Sequence, residues 1–157
     1  MSSLEPIPFR AKGPKRSNLG FLGIEETKTR IEGLLHYEEK TLVVEWRATE
    51  KTDRFGFTGI GTEYETFAAE VVDIPVEWIA EVTTRRLLFT TLIRFRMRRL
   101  DALEEIPGAV GAVLTIKVPW SGRHTIAPML AAIEAERAAL PYQAPQATRQ
   151  LPATSDE

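Results

Sequence analysis

The alternation of apolar and basic residues between Ile93 and Arg98 constrains the fold of this chain more than any other feature. Side chains of a β-strand point alternately to its two faces, so Ile93, Phe95 and Met97 are predicted to share one face. That face requires a hydrophobic core. The opposite face requires water or an anion, because it is predicted to carry the arginine row, which we define as Arg94, Arg96 and Arg98.

The chain of 157 residues is long enough for one domain of ordinary size with a single core. Residues 1–18 contain three prolines and four basic residues and are predicted to form a disordered basic arm. Residues 141–157 are rich in Pro, Gln, Ala and Thr and are predicted to form a disordered tail. The folded domain is therefore expected to span residues 19–140.

The composition, with 43% hydrophobic and 27% charged residues, is typical of a soluble globular protein. No apolar run approaches the roughly 20 residues that cross a bilayer, and residues 1–15 contain no apolar signal-peptide core. Cysteine is absent, which excludes disulfides and thiolate chemistry and is compatible with a reducing compartment. We therefore expect a cytoplasmic protein.

The net charge of −2 hides a strong asymmetry along the chain. The segment 25–81 contains 14 acidic and 6 basic residues, whereas the segment 82–100 contains six arginines and no acidic residue. Charges separated in this way can meet within the fold, across a self-association interface, or on a partner. Pairing with the acidic first half, within the chain or between chains, fits this asymmetry at least as well as a nucleic-acid partner does.

Residue polarity alternates with a period of two over most of the region between the predicted tails, which indicates β-strands. The polar pair Glu39 and Lys40 separates two such segments and predicts a hairpin. Three glycines between residues 49 and 61 predict a loop or a short irregular strand, and a helical turn is predicted over 101–111. The predicted strands are 31–37, 42–47, 66–73, 78–86, 90–100 and 112–118.

The period changes to that of a helix only near the end of the chain, where Ile126, Met129 and Ile133 fall on one predicted face. Proline is normally restricted to the first turn of a helix, so Pro128 places the predicted start near Thr125. Each buried side chain of this size contributes about 1.5–3 kcal/mol, so the helix is expected to dock on the core. The open end of a small barrel is the expected place.

About six strands followed by one amphipathic helix is the order of elements in the pleckstrin-homology-like fold. Three parts of the sequence are similar to those of bacterial pleckstrin-homology-like (PH/GRAM-like) domains of uncharacterised function, and the resemblance covers about residues 29–140. These parts are residues 30–35 leading into 42–45, residues 74–82, and residues 103–111.

The resemblance implies a mainly β protein with a partly open barrel of two antiparallel sheets, capped by one C-terminal α-helix. Similar domains bind rather than catalyse, and their ligands are phosphoinositide headgroups, peptides or further copies of themselves. Members that bind phosphoinositides use basic residues in and around the first hairpin. Here the predicted tip of that hairpin is Glu38, Glu39 and Lys40, which would repel a phosphorylated headgroup.

Two interpretations of the arginine row remain open at the sequence level. Guanidinium groups match phosphate and carboxylate geometry, so the row could bind an anion or a partner. Alternatively, it is a solvated sheet face whose arginines pair with carboxylates on neighbouring strands, such as Glu81. The candidate anion-binding or partner-binding residues are Arg85, Arg86, Arg94, Arg96, Arg98 and Arg99.

Nucleic-acid binding and catalysis find little support in the sequence. The pI of about 5.8 and the predicted core position of Phe95 argue against a basic groove with stacking aromatics. His36 and His124 are the only histidines, are far apart in sequence, and have no accompanying cysteine. We therefore predict no nucleic-acid partner, no catalytic residues, no metal site and no cofactor.

The expected function is that of a non-enzymatic interaction module, which acts through protein contacts or self-association. Trp120, between the last predicted strand and the helix, is a candidate for a peptide-binding groove at this position. An alternative is a binder of anions or of a membrane surface with phospholipid headgroups, which would use the arginine row and the basic arm. A third alternative is an enzyme.

Overall fold

The computed structural model describes residues 4–141, which form eight β-strands, three short 3₁₀ turns and one α-helix. The helix, α1, spans Arg123–Ala139. The prediction of a mainly β protein with a single C-terminal helix is confirmed. The strands are β1 (Ile7–Gly20), β2 (Gly23–Glu38), β3 (Thr41–Gly56), β4 (Gly59–Thr66), β5 (Glu70–Pro75), β6 (Ile79–Arg86), β7 (Thr90–Met97) and β8 (Val113–Pro119).

All eight strands belong to one antiparallel sheet, in the order β4, β3, β2, β1, β8, β7, β6, with β5 also paired to β3. The predicted division into two sheets is wrong because β1 joins both halves: Arg10 lies opposite Glu32 of β2 on one side and opposite Lys117 of β8 on the other. The sheet is not a closed barrel: β6 is the edge strand on one side, and β4 and β5, which both pair with β3, are the edge strands on the other.

The prediction of a disordered arm over residues 1–18 is wrong for residues 7–18, which belong to β1. Ile7, Phe9 and Ala11 are buried in the core, and the residues between them are exposed. The alternation was hidden by the neighbouring prolines and basic residues. Residues 1–3 lie outside the described residues, and so does all but the first residue of the predicted tail over 141–157.

A single core cluster unites the sheet and the helix. Ile93 and Phe95 are fully buried and Met97 is nearly so, which confirms the predicted apolar face of β7. Strands β1, β2, β3, β5 and β8 contribute further members, and α1 adds Ile126 and Ile133 together with Met129. The helix is therefore docked on the core, as its apolar face predicted.

The helix is also fixed to the sheet by polar contacts at its C-terminal end. Arg137 donates hydrogen bonds from Nε to the carbonyl oxygen of Ile79, at 3.1 Å, and from a terminal nitrogen to that of Ala80. Lys40 Nζ, in the β2–β3 turn, lies 3.5 Å from Glu136 Oε2. The start of α1 at Arg123 is two residues before the predicted one, and Pro128 lies inside the helix.

Other predicted boundaries are correct to different degrees. The hairpin at Glu39 and Lys40 is confirmed, and both residues adopt positive φ (47° and 64°), as a tight two-residue turn requires. The strand predicted over 66–73 begins at Glu70 instead, and the segment 76–78 is a 3₁₀ turn before β6. The predicted helical turn after β7 is a 3₁₀ turn at Leu100–Leu103.

The largest correction concerns residues 49–61, which are not a loop. They continue β3 and begin β4, so that residues 13–30 and 49–66 form a four-stranded extension beyond the core, which we call the projecting sheet. Polar contacts between neighbouring strands stabilise it. Thr27 and Thr52 share a hydrogen bond of 3.1 Å, and Arg54 contacts the carboxylates of Glu25 at 3.2 Å and Glu63 at 2.8 Å.

Candidate interaction surfaces

Arg94 and Arg96 lie on the exposed face of β7, as predicted, and Arg98 is exposed just after the strand ends at Met97. Arg96 forms an ion pair with Glu81 of β6, at 3.2 Å, so part of the row is paired within the fold. Arg94 is flanked by Thr83 and Thr115 on the neighbouring strands. Within residues 4–141, no carboxylate lies within 4.0 Å of the guanidinium groups of Arg94 and Arg98.

The six predicted arginines do not converge on one site. Arg86 lies opposite Thr91, whereas Arg99 follows the other end of β7, roughly 25 Å away at about 3.3 Å per residue. Arg99 donates two hydrogen bonds to Asp101, at 2.6 and 3.0 Å, and stacks on Trp78. These hydrogen bonds lower the pKa of the Asp101 carboxyl below its usual value. Arg85 shares the face of Arg94 and Arg96.

Trp120 lies at the junction of β8 and α1 and is largely exposed. The guanidinium of Arg123 covers its ring at 4.0 Å, and the same group donates hydrogen bonds to Thr91 Oγ1 and to the carbonyl oxygen of Leu87. The backbone N–H of Trp120 donates to the carbonyl oxygen of Phe89. The side chain of Phe89 is exposed, like that of Trp120. A peptide-binding role for Trp120 stays a prediction.

A basic cleft on the projecting sheet was not predicted. Lys15 lies opposite Lys28, and Lys28 lies opposite Lys51, so three ammonium groups form one row across β1, β2 and β3. The cleft has a volume of about 590 Å³. The residues that line it include Lys12, Lys15, Lys28, Thr29, Arg30, Lys51 and Tyr64.

The positive charge of the basic cleft is only partly compensated. Like charges directly opposite each other destabilise a sheet. Glu26 Oε1 lies 2.8 Å from Lys15 Nζ and 3.2 Å from Lys28 Nζ, and these contacts lower the pKa of the Glu26 carboxyl. The hydroxyl of Thr29 is buried and has no hydrogen-bond partner in the part of the chain that the structure describes.

The strand order changes which hairpin is the first along the chain. The first hairpin is β1–β2, which turns at Phe21 and Leu22, and the acidic turn at Glu38 and Glu39 belongs to the second. The prediction that the acidic turn is the tip of the first hairpin is therefore wrong. It followed from the assignment of residues 7–18 to a disordered arm, which left β1 out of the strand order.

The end of the projecting sheet is apolar and exposed. Phe21 and Phe57, at the two turns, are 100% and 95% exposed. Between the turns, four apolar side chains cross all four strands on one face, each opposite the next, and we call them the apolar row: Leu19, Ile24, Phe55 and Ile60. We define the apolar tip as these residues and the turn residues: Leu19, Phe21, Leu22, Ile24, Phe55, Phe57 and Ile60.

Strand β4 forms a free edge beside the apolar tip. It pairs with β3, and no other described strand lies on its outer side. All eight of its residues are exposed. An exposed edge strand presents unpaired backbone N–H and C=O groups, to which another strand can bind.

Among residues 4–141, no helix is long and apolar enough to cross a membrane, and no group of three or more His, Asp or Glu side chains is arranged to hold a metal ion. His36 lies on β2, whereas His124 is in the first turn of α1, where its Nε2 is 4.0 Å from Glu5 Oε2. No family model matches the chain, and neither a curated protein nor a solved structure matches it.

Proposed function

We propose that this chain is a non-enzymatic interaction module of pleckstrin-homology-like fold, which self-associates or contacts another protein through the apolar tip. The order of elements supports this fold. Without β4, seven antiparallel strands precede one C-terminal helix, and that helix packs on the same core as both halves of the sheet. In this comparison β4 is an insertion between β3 and β5 that pairs with residues 49–56 of β3.

The apolar tip is the observation that carries the proposal. A fully exposed aromatic side chain presents about 150–250 Å². The seven residues of the apolar tip therefore exceed the about 300–600 Å² of the largest apolar patch on a typical monomer. They approach the roughly 800 Å² that one partner contributes to a standard protein interface. Leaving this surface in water has no structural benefit, because none of these side chains supports the core.

The charges around the apolar tip favour a protein partner over an anionic membrane. The next row of side chains on the same face, about 7 Å from the apolar row, contains the carboxylates of Glu26 and Asp53. An anionic lipid surface attracts basic segments and repels carboxylates in this position. Most charges near the tip are already paired, as in the contacts of Arg54 with Glu25 and Glu63, so a neutral apolar contact with protein is favoured.

The test is the molar mass of the full chain, measured by size-exclusion chromatography with light scattering. We expect a mass above that of the monomer, and a return to the monomer mass in the double variant Phe21→Ser and Phe57→Ser. Phe89→Ser is the matched control, since Phe89 is also exposed but lies in the β6–β7 turn. Equal masses for the double variant and the wild type would overturn the role of the tip.

A second candidate function is anion binding, which the basic cleft favours. Lys12 and Arg30 have no carboxylate within 4.0 Å among residues 4–141. Phosphate and carboxylate groups match this combination of ammonium and guanidinium donors. The arginine row remains a further candidate for anion binding.

A further inference from the structure

The backbone of β4 is arranged to accept a further strand. The N–H of Phe67, just after β4, donates to the carbonyl oxygen of Ala48 at 3.0 Å, which fixes the phase of hydrogen bonding between β3 and β4. Along an antiparallel strand, the backbone N–H and C=O groups of successive residues point alternately toward a given neighbouring strand and away from it. The odd-numbered residues of β4 therefore bond to β3. The N–H and C=O groups of Ile60, Thr62 and Tyr64 point away from β3, where the described part of the chain offers no strand.

The side chains of β4 also alternate, between the two faces of the sheet. Ile60, Thr62 and Tyr64 lie on the face that carries the apolar row, because they are paired with Phe55 and its alternate neighbours on β3. The opposite face of β4 carries two glycines and the two acidic residues Glu63 and Glu65. A partner strand with acidic residues opposite these glutamates would be destabilised.

We propose that β4 pairs antiparallel with β4 of a second copy of this chain, with Thr62 of each copy opposite Thr62 of the other on a two-fold axis. This inference rests on the proposed self-association and specifies its geometry. The two sheets then become one continuous sheet of sixteen strands, in which neither copy leaves the β4 edge unpaired.

The sequence of β4 is complementary to itself in this register. Ile60 packs against Tyr64 of the second copy, and Glu63 lies opposite Gly61 of the second copy. The outward-facing N–H and C=O groups of residues 60, 62 and 64 form hydrogen bonds with those of residues 64, 62 and 60 of the second copy. No glutamate faces a glutamate, and each glycine leaves room for the acidic side chain across from it.

The neighbouring registers are less favourable. Hydrogen bonding requires even-numbered residues of one strand to lie opposite even-numbered residues of the other. The nearest alternative registers therefore place the two-fold axis one residue along β4, at Glu63 or at Gly61. With the axis at Glu63, the two Glu63 side chains meet at a Cα separation of about 4.5 Å, which is destabilising. With the axis at Gly61, the contact between Ile60 and Tyr64 is lost. Charge and packing therefore select Thr62.

The pairing also covers part of the apolar tip. In the same register, the β3–β4 turn with Phe57 extends toward Phe67 of the second copy, and Phe67 is partly exposed in the single chain. A peptide from an unrelated protein would not require the self-complementary order of β4, which is why a second copy is the occupant that these residues favour.

Cysteine cross-linking tests the register directly, because the chain contains no cysteine. In a hydrogen-bonded antiparallel pair the Cα atoms are about 5.5 Å apart, which a disulfide spans. We expect Thr62→Cys to form a covalent dimer on mild oxidation. Glu63→Cys is the matched control, since its two Cα atoms are offset by about 6.6 Å along the strands in addition to the distance between the strands. Cross-linking of Glu63→Cys at an equal or higher yield would overturn the register.

A proline variant tests the pairing without cross-linking. Thr62→Pro removes an N–H that faces outward and leaves the hydrogen bonds between β3 and β4 intact, so the monomer is expected to fold. Thr62→Ala is the control, because both variants lose the side-chain hydrogen bond to Asp53 but only proline loses the N–H. We expect Thr62→Pro to reduce the molar mass to that of the monomer and Thr62→Ala to retain the dimer.

The outcomes separate this inference from the proposed function. A wild-type chain that is monomeric at all concentrations overturns both. A self-associated chain that responds to Phe21→Ser and Phe57→Ser but not to Thr62→Pro, and that does not cross-link through Thr62→Cys, overturns the β4 pairing alone. If Thr62→Pro does not fold, as circular dichroism would show, the cross-linking result decides.

Discussion

Lys28 of β2 lies directly opposite Lys51 of β3, on the same face of the projecting sheet. Two like charges in this position destabilise a sheet. Glu26 compensates Lys28, and Asp53 lies 3.4 Å from Lys51 Nζ, but Lys12 and Arg30 add further positive charge to the cleft. A surface of this kind is stabilised when an anion binds.

Neutralising this pair is expected to abolish anion binding without unfolding the protein. The wild type should bind inorganic pyrophosphate in isothermal titration calorimetry at low salt. It should bind more weakly near 0.1 M salt, where the Debye length is about 10 Å. The double variant Lys28→Gln and Lys51→Gln should not bind it. Lys117→Gln, on β8, is the control. Equal binding by the double variant and the wild type would exclude the cleft as the site.

The two faces of β7 are expected to differ in their contributions to stability. Phe95 is fully buried, so Phe95→Ala should lower the free energy of unfolding by about 3–5 kcal/mol. Arg94 is exposed and no carboxylate among residues 4–141 pairs with it, so Arg94→Ala should change it by less than about 0.5 kcal/mol. Urea denaturation measures the free energy of unfolding of both variants. Similar losses for Phe95→Ala and Arg94→Ala would contradict the burial of the Phe95 face of β7.

Arg137 is expected to be the polar side chain that fixes α1 most strongly to the sheet. It is 19% exposed and donates to two backbone carbonyl oxygens, of Ile79 and Ala80. Hydrogen bonds from charged donors are worth about 1.5–3 kcal/mol, so Arg137→Leu should lower the free energy of unfolding by at least that amount. Glu134→Gln removes only the exposed ion pair to Arg137 and should cost less than about 1 kcal/mol. Thermal or urea denaturation compares the two, and an equal effect would contradict the role of the carbonyl contacts.

The ion pairs of Glu26 should make part of the stability depend on pH. Lys15 and Lys28 lower the pKa of the Glu26 carboxyl from its ordinary value of 4.5. A depressed pKa in the folded state contributes stability that is present above 4.5 and is lost as the pH falls through the lower value. Glu26→Gln should therefore be less stable than the wild type near neutral pH, and the difference should shrink in acid. A difference that stays constant between neutral and acidic pH would contradict these contacts.

The alternation in β7 could be predicted from the sequence because its apolar face must be buried, and the same holds for the helix face with Ile126 and Ile133. Strand β1 was missed because prolines and basic residues accompany Ile7 and Phe9, which made the segment resemble a disordered arm. A test for period two over residues 7–11 alone could have found it.

The projecting sheet could not be predicted from hydrophobic periodicity, because neither of its faces packs on the core. Residues 49–54 are all polar or charged, and their strand structure depends on cross-strand partners that are distant in sequence, such as Glu25 for Arg54. The basic cleft and the apolar tip are products of that register. Exposed aromatic residues beside glycines, at Phe21 and Phe57, were the signal that could have indicated turns with a binding role.

Sedimentation velocity of the full wild-type chain over a wide concentration range tests the central claim most directly. We predict a concentration-dependent equilibrium between monomer and dimer, which the double variant Phe21→Ser and Phe57→Ser shifts to monomer while Phe89→Ser leaves it unchanged. A wild-type chain that sediments as a monomer at every concentration would contradict self-association through the end of the projecting sheet.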